Sequence, residues 1–552
     1  MISWLWLAIG AGLLPFTLFQ TTIPLATWLA PVLLLRFSRT VPARWAVPAL
    51  ALAGGLATYA SFRGVMPAGL MLVVAGGAVM TPIPYAIDRL LAGRLTGIVR
   101  TLVFPMADTA LVFLFGTGDF GTTGHVAGTQ VGNLPLLQSA AVGGQWIIAM
   151  LIAWAAAVAN EVWERRTVTG AGRTLLVFGA VLGTVLALGG ARIAFDPPAA
   201  PTVRIAGLAP NRAASDALVS AKLARGPRSA AQRAELRERY LTPLLDDLVN
   251  RTHRAAQAGA RIVVWAEASA YEFVEDKDAV LERARSVARA EGIYLQIGTV
   301  WLLPTQRYPF NEIRAIMFDP SGATVWDYLK TTEPLGDGNL RGPGIVPTVD
   351  TPYGRLATVI CFDASFPKLV RQAGRAGTDI LLVPSSDWAQ VTDALGQQAA
   401  LRAVENGMSI VRPARQGTSL AVDHQGRILG HDASWYRADP ATTEHTLTVA
   451  VPVRGARTPY ALFFGDVLGW LSIAGLLWAA TVVILRRRAA RTASPARPVA
   501  DDEPKARTSA PAHKRPADPR SPSPRPPAAA GGLRSRSGDT EENGEYQKRT
   551  DR

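Results

Sequence analysis

A chain of 552 residues, 49% of them hydrophobic, is too long for one core, and its apolar residues are too unevenly spread for a single solvent. Its one cysteine excludes an intramolecular disulfide and offers no metal-site spacing, and its six histidines form no ligand pair. About half of the net charge of +14 lies beyond residue 485, where membrane topology and a basic tail account for it, so nucleic acid is not among the expected partners.

Taken in order, the first 195 residues hold seven apolar segments, at about 3–19, 21–36, 45–62, 65–87, 101–116, 135–158 and 174–192. Only Gln20-Thr-Thr22 separates the first pair, which reads as a helical hairpin. The first segment lacks a basic leader and a small-residue cleavage site, so it reads as a retained helix. Arg36, Arg39 and Arg44 follow the second segment, Arg89, Arg94 and Arg100 the fourth, and Arg165, Arg166 and Arg173 the sixth. The loop 117–134 after the fifth carries no Lys or Arg. The positive-inside rule therefore places the N-terminus in the cytoplasm and this loop outside. An eighth segment, 461–485, returns the chain to the cytoplasm, where Arg486-Arg487-Arg488 stops it. One or two helices would anchor an outer domain; seven before it suggest a lateral, lipid-facing chamber.

Residues 196–460 read as an extracytoplasmic globular domain in which strands and helices alternate. Strands are expected at Thr202–Leu208, 261–265, 293–301, 312–318, 323–329, Leu356–Ile360, 379–383, 409–413 and 418–423. Helices are expected at 230–258, 279–291, 366–376 and 394–407. This alternation predicts a layered α/β domain. Residues 486–552, rich in Pro, Arg, Ala and Ser, read as a disordered cytoplasmic tail with affinity for anionic headgroups.

Three reactive side chains fall at strand ends: Glu267, Lys330 and Cys361. Carboxyl ends of strands are where α/β sheets place their sites. Cys361, between a strand and a helix opened by Pro367, would lie near backbone N–H groups that lower its pKa and hold an oxyanion. Each has a plainer alternative alone: a buried hydrophobe for Cys361, a helix-terminal carboxylate for Glu267, a solvated cation for Lys330. Together they suffice for acyl transfer through a thioester. The carboxylate takes the thiol proton, the ammonium holds the thiolate and the oxyanion, and the protonated carboxyl serves the leaving group.

The motifs around these residues resemble the nitrilase superfamily of carbon-nitrogen hydrolases, and more closely its integral-membrane branch, the apolipoprotein N-acyltransferases. Val264-Trp-Ala-Glu267 is similar to that family's W-P-E strand end, with Ala266 for proline. Asn311, Phe318-Asp-Pro-Ser-Gly322 and Tyr328-Leu-Lys330 follow in family order. Val359-Ile-Cys-Phe-Asp363 is similar to I-C-Y-E, and Ser386-Asp-Trp388 to N-D-x-W. Arg402-Ala-Val-Glu405, Val411-Arg-Pro-Ala414 and Gly417-Thr-Ser419 complete the series, and Gly132-Asn-Leu-Pro-Leu-Leu-Gln138 matches in the membrane part. The departures are Thr331-Thr-Glu-Pro-Leu-Gly-Asp337 in place of H-L-V-P-F-G-E, Asp363 in place of glutamate, and Arg415-Gln416 where asparagine is expected.

The resemblance implies a polytopic helical membrane domain of about eight spans joined to an α-β-β-α sandwich, in a bacterial plasma membrane with both termini cytoplasmic. It implies Glu267, Lys330 and Cys361 as catalytic residues and no cofactor. Phe362 would supply an oxyanion N–H, Asp337 and Asp363 would be supporting carboxylates, and Trp388 would either line the acyl route or pack in the core. A phospholipid would be the acyl donor and a diacylglyceryl apolipoprotein the acceptor. Two alternatives stay open at this point: a membrane-tethered amidase that uses water as acceptor, and a catalytically silent scaffold.

Overall fold

Apolar stretches in lipid must satisfy their backbone groups internally, and the apolar stretches of the described membrane part are accordingly helical. The computed structural model describes residues 1–65, 69–165, 168–196, 201–220, 229–304, 308–333, 338–436 and 445–492. Of the tail read as residues 486–552, residues 486–492 instead continue the helix Val467–Thr492, while the rest of it and Asp337 lie outside the described residues. Helices occupy all eight expected segments, and six are long and apolar enough to cross a membrane: Ala43–Phe62, Leu70–Arg94, Gly97–Gly116, Ala140–Arg165, Ala171–Phe195 and Val467–Ala489. The first two fall short. Ile2–Leu13 ends in the 3-10 turn Leu14–Thr17, and Pro24–Thr40 rises only about 26 Å, with Arg36 and Arg39 in its last turns. The last helix begins at Val467, later than expected, because Gly465 at φ +48° breaks it from the π-turn Tyr460–Phe464.

Ala140–Arg165 is the inner helix of the bundle, most of its apolar side chains being buried. It breaks at Gly144 (φ 63°, ψ −168°), where an added Cβ would lie 2.5 Å from the Tyr460 ring. At the other end, the arginine-rich loops are tied together. Arg39 pairs with Asp88 at 2.8 Å and Glu164 at 3.2 Å, and Arg100 pairs with Glu161 at 3.2 Å and also with Glu164. The residues that positive-inside reasoning places on one face therefore do meet.

Two sheets stack in the globular part. The first runs in the order Thr446–Pro452, Thr202–Leu208, Ile262–Trp265, Tyr294–Leu302, Asn311–Phe318 and Thr324–Leu329, with Ala270–Phe273 also paired to Tyr294–Leu302. The second runs Ile428–Asp432, Ser419–Val422, Ser409–Arg412, Ile380–Leu382, Gly354–Thr358 and Thr348–Thr351. Val203, Ile205, Val264 and Met317 of one sheet meet Leu356, Ile380, Leu382 and Val411 of the other in a shared core. Helices Thr242–Gln257 and Lys277–Glu291 cover the outer face of the first sheet, and Pro367–Arg375 and Thr392–Asn406 that of the second. The result is the expected α-β-β-α sandwich.

Six strands fall outside the expected ones: Ala270–Phe273, Thr348–Thr351, the short pair Ser385–Ser386 and Ala414–Arg415, which run parallel to each other, Ile428–Asp432 and Thr446–Pro452. The last pairs antiparallel with Thr202–Leu208 over seven residues, so the chain returns to the first sheet before entering its final helix. The expected helix 230–258 is interrupted by a π-turn at Arg237–Leu241, just ahead of Pro243.

Candidate active site

Each site residue is set where a strand stops. Ile262–Trp265 is fully buried and leads through Ala266 to Glu267, after which Ala268 takes a left-handed φ of +52°. The chain passes so close to its neighbour here that a Cβ on Gly298 would lie 2.2 Å from the Ala266 carbonyl. Lys330 follows Thr324–Leu329, its N–H still donating to Ile313 at 2.9 Å. Cys361 leaves the ladder behind Gly354–Thr358 and opens the 3-10 turn Cys361–Ser365 at φ +44°, a conformation that costs a non-glycine residue about 1–2 kcal/mol. Of the turn's first N–H groups, that of Cys361 donates to the Pro384 carbonyl at 3.0 Å and that of Asp363 to the Ile360 carbonyl at 2.9 Å, which leaves the Phe362 N–H as the one to meet a ligand.

The structure brings the three together. Lys330 Nζ donates to Glu267 Oε1 at 2.7 Å, with both side chains 4% exposed. Glu267 Oε2 is buried and has no hydrogen-bond partner among the described residues. Cys361 is buried within electrostatic reach of Glu267, Lys330, Asp387 and Arg412, and its Sγ lies 3.7 Å from the Ser386 carbonyl. A carboxylate with one oxygen anchored by a cation and the other unpartnered is suited to accept a proton beside a thiol.

Burial alone would lower the Lys330 pKa, but Glu267, Cys361 and Asp363 outweigh it and hold the ammonium charged. Burial pushes the Cys361 thiol well up, Glu267 adds to this, and Lys330 only partly offsets it. This corrects the expectation of a lowered thiol pKa: the turn's N–H groups are present, but the dry site and its carboxylates decide. The thiol therefore rests protonated. Alkylation of the protein by iodoacetamide is expected to be slow at neutral pH and to keep rising through pH 9. A plateau reached near pH 6 would contradict this.

Asp363, fully buried, joins two of the strand ends. It accepts hydrogen bonds from the Tyr328 hydroxyl at 2.8 Å, the Thr332 N–H at 2.8 Å, the Thr332 hydroxyl at 2.7 Å, the Thr331 N–H at 3.2 Å and the Ile360 N–H at 3.2 Å. The segments carrying Lys330 and Cys361 thus hang on one side chain. Burial lifts its carboxyl above the ordinary range against the pull of Thr332, Lys330 and Tyr328. Phe362 stacks edge-on with Phe366 at 5.4 Å. Trp388 is 37% exposed, which excludes the core reading for it. The segment it opens packs through Val391 and Leu395 against Phe19, Phe62 and Val65 at the ends of helices of the membrane part.

Two further arginines, given no role there by the sequence, enter the site. Arg412 makes a bidentate, buried pair with Asp387 at 2.9 and 2.5 Å, behind Cys361. Arg415 donates to the Ala268 carbonyl at 3.0 Å and the Tyr271 hydroxyl at 3.1 Å, fastening the second sheet to the turn that carries Glu267. The motif order contained both residues, but their partners lie far off in sequence.

Residues 228–458 match the family model described as carbon-nitrogen hydrolase. An apolipoprotein N-acyltransferase of Gloeobacter violaceus is 25% identical over 362 residues, 60% of this chain and 64% of that one. Another from Geobacter metallireducens is 24% identical over 261 residues, 43% and 48% of the two chains. A deaminated glutathione amidase of Yersinia enterocolitica is 27% identical over 176 residues, 27% of this chain and 60% of that one. The chain spans less than two thirds of the length of each of these relatives. An amidase structure from Nesterenkonia sp. aligns at 22% identity and a TM-score of 0.35, covering 47% of this chain and 94% of that one. The resemblance drawn from the motifs is thus met by relatives bearing the same family name, and the globular part, which the family model matches, is joined to a part whose helices are long and apolar enough to cross a membrane.

Proposed function

We propose that the protein is a membrane acyltransferase that moves a fatty acyl chain from a phospholipid, through a thioester on Cys361, to the N-terminal amine of a diacylglyceryl-cysteine on an apolipoprotein. The observation that carries this reading is the buried Glu267–Lys330 pair beside Cys361, with one carboxylate oxygen unpartnered, in a domain packed against the ends of helices of the membrane part. Two lipid substrates need a site they can reach from the bilayer, and a soluble amidase has no use for one. The division into a membrane domain 1–195, a catalytic domain 196–460, an eighth span and a cytoplasmic tail belongs to the same reading.

In the first half-reaction Cys361 Sγ attacks the ester carbonyl carbon while its proton passes to Glu267 Oε2. Lys330 and the Phe362 N–H hold the oxyanion. The carbon–oxygen bond then breaks, and Glu267 returns the proton to the departing lysophospholipid oxygen. In the second half-reaction the acceptor amine attacks the thioester and Glu267 takes the proton the nitrogen sheds. The carbon–sulfur bond breaks, and the thiolate recovers that proton. In this reading Trp388, which is partly exposed, lines the acyl route.

The match to a deaminated glutathione amidase favours one second reading, hydrolysis of a small amide with water as acceptor. Giving the acyl-loaded protein a diacylglyceryl-cysteine peptide separates the two. N-acyl peptide formed faster than free fatty acid supports transfer, and fatty acid alone with the peptide unused would end it.

The proposed orientation in a bacterial plasma membrane, with both termini cytoplasmic, rests on the arginine-rich ends. In intact cells a membrane-impermeant maleimide is expected to label Asp119→Cys, and to label Arg487→Cys only after permeabilisation. The reverse pattern would overturn the orientation.

A further inference from the structure

The carbonyl of Ser365, at the end of the turn that Cys361 opens, is fully buried yet lies outside the sandwich's own ladders. Its two partners come from the membrane part. The Thr122 N–H and the Thr122 hydroxyl both donate to it at 2.9 Å, from the loop between helices Gly97–Gly116 and Ala140–Arg165. That hydroxyl in turn accepts from Arg402 Nη2 at 2.8 Å and Gln398 Nε2 at 3.1 Å. A hydroxyl has one proton to give and two lone pairs to fill, so every capacity of Thr122 is used.

Neighbouring contacts tighten the same turn. Thr123 Oγ1 lies 2.6 Å from the Ser365 hydroxyl, which also donates to Gln398 Oε1 at 3.0 Å. Arg402 Nε donates to the Ala364 carbonyl at 3.2 Å, and a carboxylate oxygen of Glu405, the ion-pair partner of Arg402, accepts from the Gln145 N–H at the broken helix turn, at 2.7 Å. Gly121 holds φ +57° against the turn, where a Cβ would lie 2.7 Å from the Ser365 oxygen. This contact is built for close approach, and it reaches the segment that aims the first N–H groups after Cys361.

We infer that Thr122 is a positioning residue for the nucleophile turn: the outer loop of the membrane part holds the far end of the turn so that the Phe362 N–H points at the developing oxyanion. The inference rests on the acyl-enzyme reading above. It implies that the sandwich cut from its membrane part would keep its thiol and lose carbonyl chemistry. A loop fixed in the membrane would also couple the bilayer to the reactivity of Cys361.

The test uses the full-length protein in detergent, with p-nitrophenyl butyrate as an ester probe, so the outcome does not depend on the natural donor. Attack on a carbonyl develops an oxyanion, whereas alkylation by iodoacetamide does not, so the ratio of the two rates reports the aim of the turn. Thr122→Val keeps the side-chain shape and removes the hydroxyl. Its acylation rate, read as the burst of p-nitrophenol, is expected to fall by about tenfold, a fraction of the 10²–10³ lost when a whole oxyanion donor is removed. The alkylation rate and its pH profile should be unchanged, as should the KM for the ester. Thr122→Ser, which restores the hydroxyl, should recover the burst. An unaltered burst in Thr122→Val, an equal fall in acylation and alkylation, or a failure of Thr122→Ser to rescue would each overturn the inference.

Discussion

Glu267→Gln is expected to slow acyl loading of Cys361 by about 10³-fold, within the 10²–10⁴ range of a positioned general base. The substitution is nearly isosteric, and its amide oxygen still accepts from Lys330. The position now held by the unpartnered Oε2 becomes an NH₂, which cannot take the thiol proton. The change also leaves Lys330 charged, 4% exposed and without its counterion. Breaking one partner of a buried pair costs about 3–5 kcal/mol, so a marked loss of thermal stability should accompany the loss of loading. Loading at the wild-type rate would remove Glu267 from the proposed chemistry.

Asp363→Asn should be nearly as severe, for a different reason. Both carboxylate oxygens receive donors: Oδ1 the Thr332 N–H and hydroxyl, and Oδ2 the Tyr328 hydroxyl and the Ile360 N–H. Whichever way the amide turns, its NH₂ faces a backbone N–H that loses its acceptor, at about 1–3 kcal/mol, and a hydroxyl that must reverse its bond. The ends carrying Lys330 and Cys361 then part. Loading is expected to fall by about 10²-fold with little change in donor KM, since misplacement of this kind acts on the transition state. A larger effect on KM than on kcat would place Asp363 in donor binding instead.

The sandwich was largely legible because its strands are apolar, β-branched and bounded by turn residues. Thr202–Leu208 appears as read, and Glu267, Lys330 and Cys361 stand at strand ends as the pattern required. What escaped was set by distance along the chain. Thr446–Pro452 is a strand because Thr202–Leu208, far upstream, offers it an edge. The Arg412–Asp387 and Arg415–Ala268 contacts likewise exist only once the sheets are stacked. The direction of the Cys361 pKa was misread because a turn's N–H groups are visible in sequence and the dryness around a thiol is not. The two short helices show the same limit in the membrane. Hydropathy finds apolar stretches, but Leu14–Thr17 tightening to a 3-10 turn and the arginines closing Pro24–Thr40 decide their reach.

The central claim is that Cys361 carries an acyl group taken from a phospholipid. Intact-protein mass spectrometry after incubation with a phospholipid of defined chains tests it most directly. The account predicts one added acyl mass, located on the Cys361 peptide, released by neutral hydroxylamine and absent from Cys361→Ala. An unmodified protein whose thiol still reacts with iodoacetamide, or acyl mass retained by Cys361→Ala, would contradict it.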